Sequence, residues 1–339
     1  MATPMGHEQP SPVLIFETLN AYQRSAALKA AIQLDVFTAV GEGIDKPDSL
    51  AKKCQITERG ARILCDYLTI LGLLIKTNGR YALTRDAAVF LDRRSPACLA
   101  SIANFLTLPE SIDVFMALAE TLRSGGATLQ DKAATDPENP IWVAFAGSMM
   151  PLMLLPAKEI ASIVGDGSAE KRKVLDIAAG HGIFGITIAQ ENPNAEIFAL
   201  DSASVLAVAK KNADSVGVAS RYHLLPGSAF DVNLGTSYDL ILLTNFLHHF
   251  DVPTNESLLR KVHGALAPGG RAVTLEFVPN EDRVTPPSTA AFAMVMLGQT
   301  VGGDAYTFSE YQRMFANAGF SSSELRSIPG PESVIISHK

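Results

Sequence analysis

Residues 174–185, VLDIAAGHGIFG, constrain this chain more than any other stretch. An apolar run carries an acid, Asp176, near its end. A turn of small residues follows, Ala178, Ala179, Gly180, His181 and Gly182, and a helical pattern then opens. That order reads as strand, glycine turn and helix N-terminus. Glycines let backbone approach a ligand closely, and the first free N–H groups of the helix point at it. A second acid, Asp201, closes the next apolar run about 20 residues on, where nucleotide-binding folds hold a ribose. The pattern implies an adenosine-containing cofactor.

The rest of the C-terminal half supports that frame. Strands are expected over 173–178, 195–201, 222–226, 238–243 and 270–277, and helices over 184–191, 203–216, 255–266 and 307–318. A closing hairpin over 323–328 and 333–337 turns at Pro329-Gly330-Pro331. Alternating β and α at these lengths predicts an α/β fold with a doubly wound, mainly parallel sheet. Ligands in such sheets lie outside the carboxyl ends of the strands, where the turns carrying Gly180, Asp201 and His248 all fall.

The first hundred residues read differently. A helix is expected over 26–40, another over 48–55 with Pro47 at its first position, and a third over 57–71. Two apolar runs then flank Asn78-Gly79, a dipeptide suited to a tight hairpin because both turn positions need positive φ. Helix, helix and hairpin resemble a winged helix. The third helix has Arg59 and Arg62 but also Glu58 and Asp66, and the chain carries a formal net charge of -7. The electrostatic footprint of a nucleic-acid binder is missing. An interaction role, most simply homodimerisation, is the better reading. The division expected is a dimerisation domain over 1–100, a helical connector over 101–165 lining the acceptor pocket, and a cofactor domain over 166–339. A polar break over 124–140 and a polar linker over 165–173 punctuate it.

Three cysteines without CxxC spacing and no secretory signal in the first ten residues point to reduced thiols and the cytoplasm. Residues 141–157 are apolar but short of a membrane span, and Pro151 and Pro156 interrupt them. Residues 284–303 are longer but polar in places. Both stretches read as buried helices rather than spans.

Gly180, Gly182 and Gly185 spell GxGxxG, which a nicotinamide dehydrogenase would also carry. Asp176 argues against that, since a diphosphate would be repelled by a nearby carboxylate. A cofactor with a cationic sulfur and an amino-acid tail tolerates acids there. DxxxGxG at 176–182, the ribose acid Asp201, NFLHHF at 245–250 and ALAPGG at 265–270 together resemble the S-adenosylmethionine-dependent O-methyltransferases of the caffeic acid, hydroxyindole and polyketide-tailoring kind. The N-terminal module is similar to that family's winged-helix dimerisation domain.

The resemblance implies a Rossmann-like class I methyltransferase domain, a homodimer, S-adenosylmethionine as methyl donor and no metal. It places a general base at His248 and, on Glu276, a carboxylate that holds the imidazole in its useful tautomer. The family's aspartate beside the base is His249 here, and its second glutamate falls on Ala305. Cofactor contacts are expected from Asp176, Gly180, Gly182, Asp201, Ser228, Ala229, Phe230 and Thr244, although the family's acid near residue 228 and its lysine at 244 are missing. His181 between the glycines reads as a packing or loop residue, with cofactor contact through its backbone N–H as the alternative. Met149, Met150, Met153, Phe292, Met294, Met296 and His249 are candidates for the acceptor wall, because methionine-rich surfaces are apolar and adaptable. The function expected is methylation of a hydroxyl on an apolar, aromatic small molecule. The alternatives are transfer to carbon or nitrogen by proximity alone, and a non-enzymatic winged-helix regulator that senses the cofactor.

Overall fold

The computed structural model describes residues 10–127, 139, 141–165 and 170–339. The N-terminal signal reading, most of the polar break and residues 166–169 of the polar linker lie outside these residues. The chain divides into two compact units, Met1–Ala103 and Asn104–Lys339.

The first unit is helical with one hairpin. Helices Val13–Leu19, Ala21–Gln33, Val36–Gly41, Pro47–Lys53 and Glu58–Ile70 precede β1 (Leu74–Thr77) and β2 (Arg80–Leu83), and helix Arg85–Phe90 follows. The single helix expected over 26–40 is two. Asp35 takes φ 59, its carboxylate accepts from the Thr38 hydroxyl and from Arg93, and the chain breaks there. The hairpin forms where Asn78-Gly79 predicts it, with φ 50 and 74 at the two turn residues. Thr57 caps helix Glu58–Ile70 by accepting from the Gly60 N–H. Phe37, Leu50, Leu68 and Tyr81 fill the core of this unit. In helix Val13–Leu19 no residue is buried, and Val13, Leu14, Ile15, Phe16 and Leu19 are all exposed.

The second unit is built on a seven-stranded sheet. Its strands are β3 (Arg172–Ile177), β4 (Ala195–Asp201), β5 (Tyr222–Pro226), β6 (Tyr238–Thr244), β7 (Leu266–Glu276), β8 (Ser322–Ser327) and β9 (Ser333–His338). They lie in the order β5-β4-β3-β6-β7-β9-β8. The first five are parallel, and the β8–β9 hairpin adds antiparallel through β9. Helices cover both faces, so the middle of each inner strand is a near-continuous apolar run. Val174, Ile197, Leu240 and Leu242 pack into the core on one face with helices Ile183–Glu191 and Ala203–Ser215. Leu175, Ile177, Ile241 and Leu243 pack into the other with helices Val252–Ala265 and Phe308–Asn317. The chain leaves β3 for β4 on one side, and β6 lies on the other. The crevice for a ligand therefore opens at the carboxyl ends of β3 and β6.

Two readings need correction. Helix Ile141–Val164 runs unbroken through Pro151 and Pro156. Each proline removes a helical hydrogen bond, at about 3 kcal/mol. Burial outweighs that here, since Pro156 itself, Ala157, Ile160 and Ala161 are buried. By length and composition alone the helix could cross a membrane, but one face of it packs into the core of this unit. The stretch 284–303 is not one buried helix. Pro287 opens a short helix, Pro287–Ala290, and Phe292–Gln299 follows, with Val284, Met294 and Val301 exposed.

Gly185 shows how tightly the glycine turn is packed. A Cβ there would meet Ile197 Cγ2 at 2.7 Å and Asp176 Oδ2 at 3.0 Å. Gly185→Ala is expected to cost about 1–3 kcal/mol, roughly 2–10 °C in Tm, by overpacking. Thermal unfolding checks it, and an unchanged Tm would contradict this packing.

Candidate functional site

The glycine turn is bent by backbone that few residues adopt. Ala178, Gly180 and Gly182 have φ of 53, 57 and 77. A non-glycine residue with positive φ at a strand end is a strained position of the kind found at ligand sites. The Gly180 N–H donates to Asp201 Oδ2 at 2.9 Å, and the Ser202 N–H donates to Oδ1 at 2.7 Å. The acid at the end of β4 and the glycine turn after β3 therefore form one unit.

Asp176 is fully buried. Its Oδ2 accepts from the Gly185 N–H at 3.1 Å, and its Oδ1 has no partner. Burial pushes its carboxyl up to about 7. An orphaned acceptor beneath the turn suits a cofactor that brings N–H groups or positive charge, and is ill-suited to a diphosphate. The residues present thus fit an adenosine cofactor with a cationic sulfonium and an amino-acid tail. His181 stacks against Phe145, with ring centroids 6.2 Å apart, and its Nδ1 accepts from the Ile183 N–H.

Residues 227–230 follow β5. The Gly227 N–H donates to the Asp201 carbonyl, and Lys261 Nζ donates to the carbonyls of Ala229 and Phe230. Ala229 is buried. The Ser228 hydroxyl is occupied by the Phe230 N–H. Phe230 is 38% exposed and packs against Phe246 and Phe250. The three rings give this edge of the crevice an aromatic surface. Thr244 ends β6, paired with Leu275 of β7.

His248 sits in a 3-10 turn, Leu247–His249, directly after β6. Glu276, the last residue of the neighbouring β7, organises that turn. Its Oε1 accepts from the N–H groups of Phe246, Leu247 and His248 at 3.1, 2.8 and 3.4 Å. Its Oε2 lies 2.5 Å from His248 Nδ1. Three other groups fix the same turn. Asn255 Nδ2 donates to the carbonyls of Leu247 and Phe250, the Tyr306 hydroxyl donates to the Phe250 carbonyl, and the Asp304 N–H donates to the His248 carbonyl. Burial lowers the His248 pKa to about 3 and raises that of Glu276 to about 8. Both trends disfavour a net charge on the pair. Ala305, where the family's second glutamate falls, is fully buried.

Aromatic rings surround the imidazole. Phe292 meets His248 edge-on at 4.9 Å between ring centroids, and Phe277 stacks on Phe292 at 3.9 Å. His249 lies 4.2 Å from His248, ring to ring, and edge-on to Trp142. Burial lowers its pKa to about 3 as well. Trp142 and Phe145, both on helix Ile141–Val164, reach the histidine turn and the glycine turn respectively. Of the methionines, Met153 meets the site: its sulfur accepts from Asn245 Nδ2 at 3.4 Å. Met149 and Met296 are buried, Met150 packs against the core, and Met294 is exposed.

Sequence reasoning missed Trp142, Phe145 and Asn255. The two aromatics were signalled only by their place in an apolar run, and Asn255 by nothing but its nearness to the histidines. Among the described residues, no group of three or more His, Cys, Asp or Glu side chains could hold a metal.

A family profile described as an O-methyltransferase domain matches residues 157–321, and one described as an O-methyltransferase dimerisation domain matches residues 16–93. A solved Nostoc punctiforme protein, provisionally described as an O-methyltransferase, is 53% identical with a TM-score of 0.94, covering 98% of this chain and 100% of that one. The 3-hydroxy-5-methyl-1-naphthoate 3-O-methyltransferase of Streptomyces sahachiroi is 27% identical over 96% of this chain and 94% of its own. Human N-acetylserotonin methyltransferase, solved in complex with S-adenosylmethionine, shares the fold with a TM-score of 0.85 at 21% identity over 99% of both chains. The chain belongs to the family of S-adenosylmethionine-dependent O-methyltransferases that join a dimerisation domain to a Rossmann-like methyltransferase domain.

Proposed function

We propose that this protein methylates a hydroxyl of an apolar aromatic small molecule, with His248 as general base and Glu276 orienting it. One observation carries the reading. A buried imidazole is held through Nδ1 on a buried carboxylate, which leaves Nε2 to face an acceptor among aromatic rings. The naphthoate and N-acetylserotonin in the names of two relatives support an aromatic acceptor. The exposed apolar helix Val13–Leu19 and the dimerisation profile support a homodimer. The free cysteines, Cys54, Cys65 and Cys98, are in keeping with a cytoplasmic setting. The division of labour proposed is dimerisation by residues 1–100, an acceptor wall from 101–165 and cofactor binding by 166–339.

The bound cofactor supplies a methyl carbon activated by its sulfonium, so alignment by the protein is the main requirement. Asp201 and the Gly180–Gly182 turn would hold the ribose and the tail, and Asp176 would receive positive charge from below. Ser228, Ala229 and Phe230 would flank the adenine, with Thr244 beneath. An unassisted phenol, pKa about 10, is a poor nucleophile near pH 7. His248 Nε2 accepts its proton, and the imidazolium so formed is balanced by the carboxylate on Nδ1. Phe292, His249 and Met153 would press the ring of the acceptor into line, with Met149, Met150 and Met296 behind them. Transfer to carbon or nitrogen by proximity alone is the competing reading. It would leave the buried His248–Glu276 pair without a chemical role.

His248→Ala is expected to lower turnover by about 10²–10⁴ while leaving affinity for S-adenosylhomocysteine unchanged. Steady-state kinetics and calorimetry read the two effects, and undiminished turnover would overturn the base. The pH dependence follows from the pair as a unit. Its base-ready form carries one net negative charge, and burial opposes that charge, raising Glu276 to about 8. Turnover should therefore rise with pH across roughly 7–9 and flatten above it, and Glu276→Gln should remove that limb. A limb near 6.5, the value for a free histidine, would contradict the pairing.

A further inference from the structure

Glu332 stands in the turn between β8 and β9, next to the register pair of Ser333 with Glu276. It therefore lies at the carboxyl end of β7, on the ligand side of the sheet. The side chain is 5% exposed, and its Oε1 has no hydrogen-bond partner. Asn245 stands at the neighbouring strand end, where its N–H donates to the Leu275 carbonyl one residue before Glu276; its side chain holds the Glu332 pKa down, and Glu276 pushes it up. Asn245 is the residue that follows β6, two before the histidine turn, and it holds φ 53. Its Oδ1 is also buried and unpartnered, while its Nδ2 donates to the Met153 sulfur. The turn that carries Glu332 is tied to the acceptor wall, because the Thr289 hydroxyl donates to the Pro331 carbonyl just ahead of Phe292. Neither Glu276 nor Glu332 has a lysine or arginine partner among the described residues.

Two buried, unpartnered acceptor atoms at neighbouring strand ends are costly, and a donor from a ligand would relieve both. We propose that Glu332 and Asn245 form a recognition subsite for a hydrogen-bond-donating substituent, a hydroxyl or an ammonium, on the methyl acceptor. This deepens the reading above and rests on it. The subsite selects acceptors that carry such a group on an arm away from the methylated hydroxyl, and it rejects those that carry a carboxylate there. Burial raises the Glu332 carboxyl to about 7, and an arriving ammonium would shift it toward its ionised form. A second carboxylate on the ligand would add repulsion to both glutamates.

The test uses the full chain with S-adenosylhomocysteine bound and four matched phenols as probes. They are 4-(2-aminoethyl)phenol, 4-(2-hydroxyethyl)phenol, 4-ethylphenol and 3-(4-hydroxyphenyl)propanoate. Calorimetric titration should rank the amino and hydroxy probes at least tenfold tighter than the ethyl probe, and the carboxylate weakest. The order of the first two tells whether charge or the hydrogen bond dominates. Glu332→Gln should bring the amino and carboxylate probes within about threefold of each other and leave S-adenosylhomocysteine affinity unchanged. Equal binding of all four, no binding of any, or the same ranking in Glu332→Gln overturns the subsite. Loss of S-adenosylhomocysteine binding by the unaltered protein would instead overturn the methyltransferase reading itself.

Discussion

A single buried carboxylate holds the functional end of this sheet together. Glu276 ends β7 with no exposure to solvent, and an isolated charge in that place would be prohibitive. Three consecutive backbone N–H groups and one imidazole nitrogen compensate it. The compensation dictates geometry. The chain after β6 must coil into a tight turn to aim three N–H groups at one oxygen, and that turn sets the direction of His248. Breaking a buried, hydrogen-bonded pair of this kind typically costs about 3–5 kcal/mol, because one partner is left uncompensated. The local structure and the proposed chemistry thus share the same four contacts.

The crevice follows from topology and from acids at the strand ends. Asp176, Asp201 and Glu276 lie at the carboxyl ends of β3, β4 and β7, so three strands end near a carboxyl group on the ligand side of the sheet. A site of this polarity repels phosphate and attracts positive charge. That distinguishes it from a dinucleotide site with the same glycine spacing. Helix Ile141–Val164 adds the second ingredient. Its Trp142 stands at the histidine turn and its Phe145 at the glycine turn, so one rigid element lines both halves of the site with aromatic surface.

Much of this was legible in the sequence. The β/α alternation placed the parallel strands, because inner strands buried on both faces have no polar alternation to confuse the reading. Asp176, Asp201 and the glycine turn were legible because the fold fixes their spacing; His248 and Glu276 came only from the family resemblance, and two neighbouring strand ends bring them within hydrogen-bond distance. The unbroken helix over Pro151 and Pro156 was not legible. Local propensity opposes it, and only burial of Pro156 and its neighbours decides the outcome. The break at Asp35 was hidden for the opposite reason. A local side-chain bond to Thr38 and a distant one from Arg93 end a helix whose apolar pattern continues. Asn255 and Glu332 carry no motif. Their importance lies in what they face across the fold, which spacing along the chain does not encode.

The central claim is that Glu276 holds the Nδ1 proton of His248 and leaves Nε2 as the basic atom. Nitrogen-15 NMR of histidine-labelled protein at about pH 9, above the titration of the pair, tests it most directly. The account predicts a strongly downfield proton bonded to His248 Nδ1 and an unprotonated Nε2. A proton on Nε2 with Nδ1 bare would contradict it.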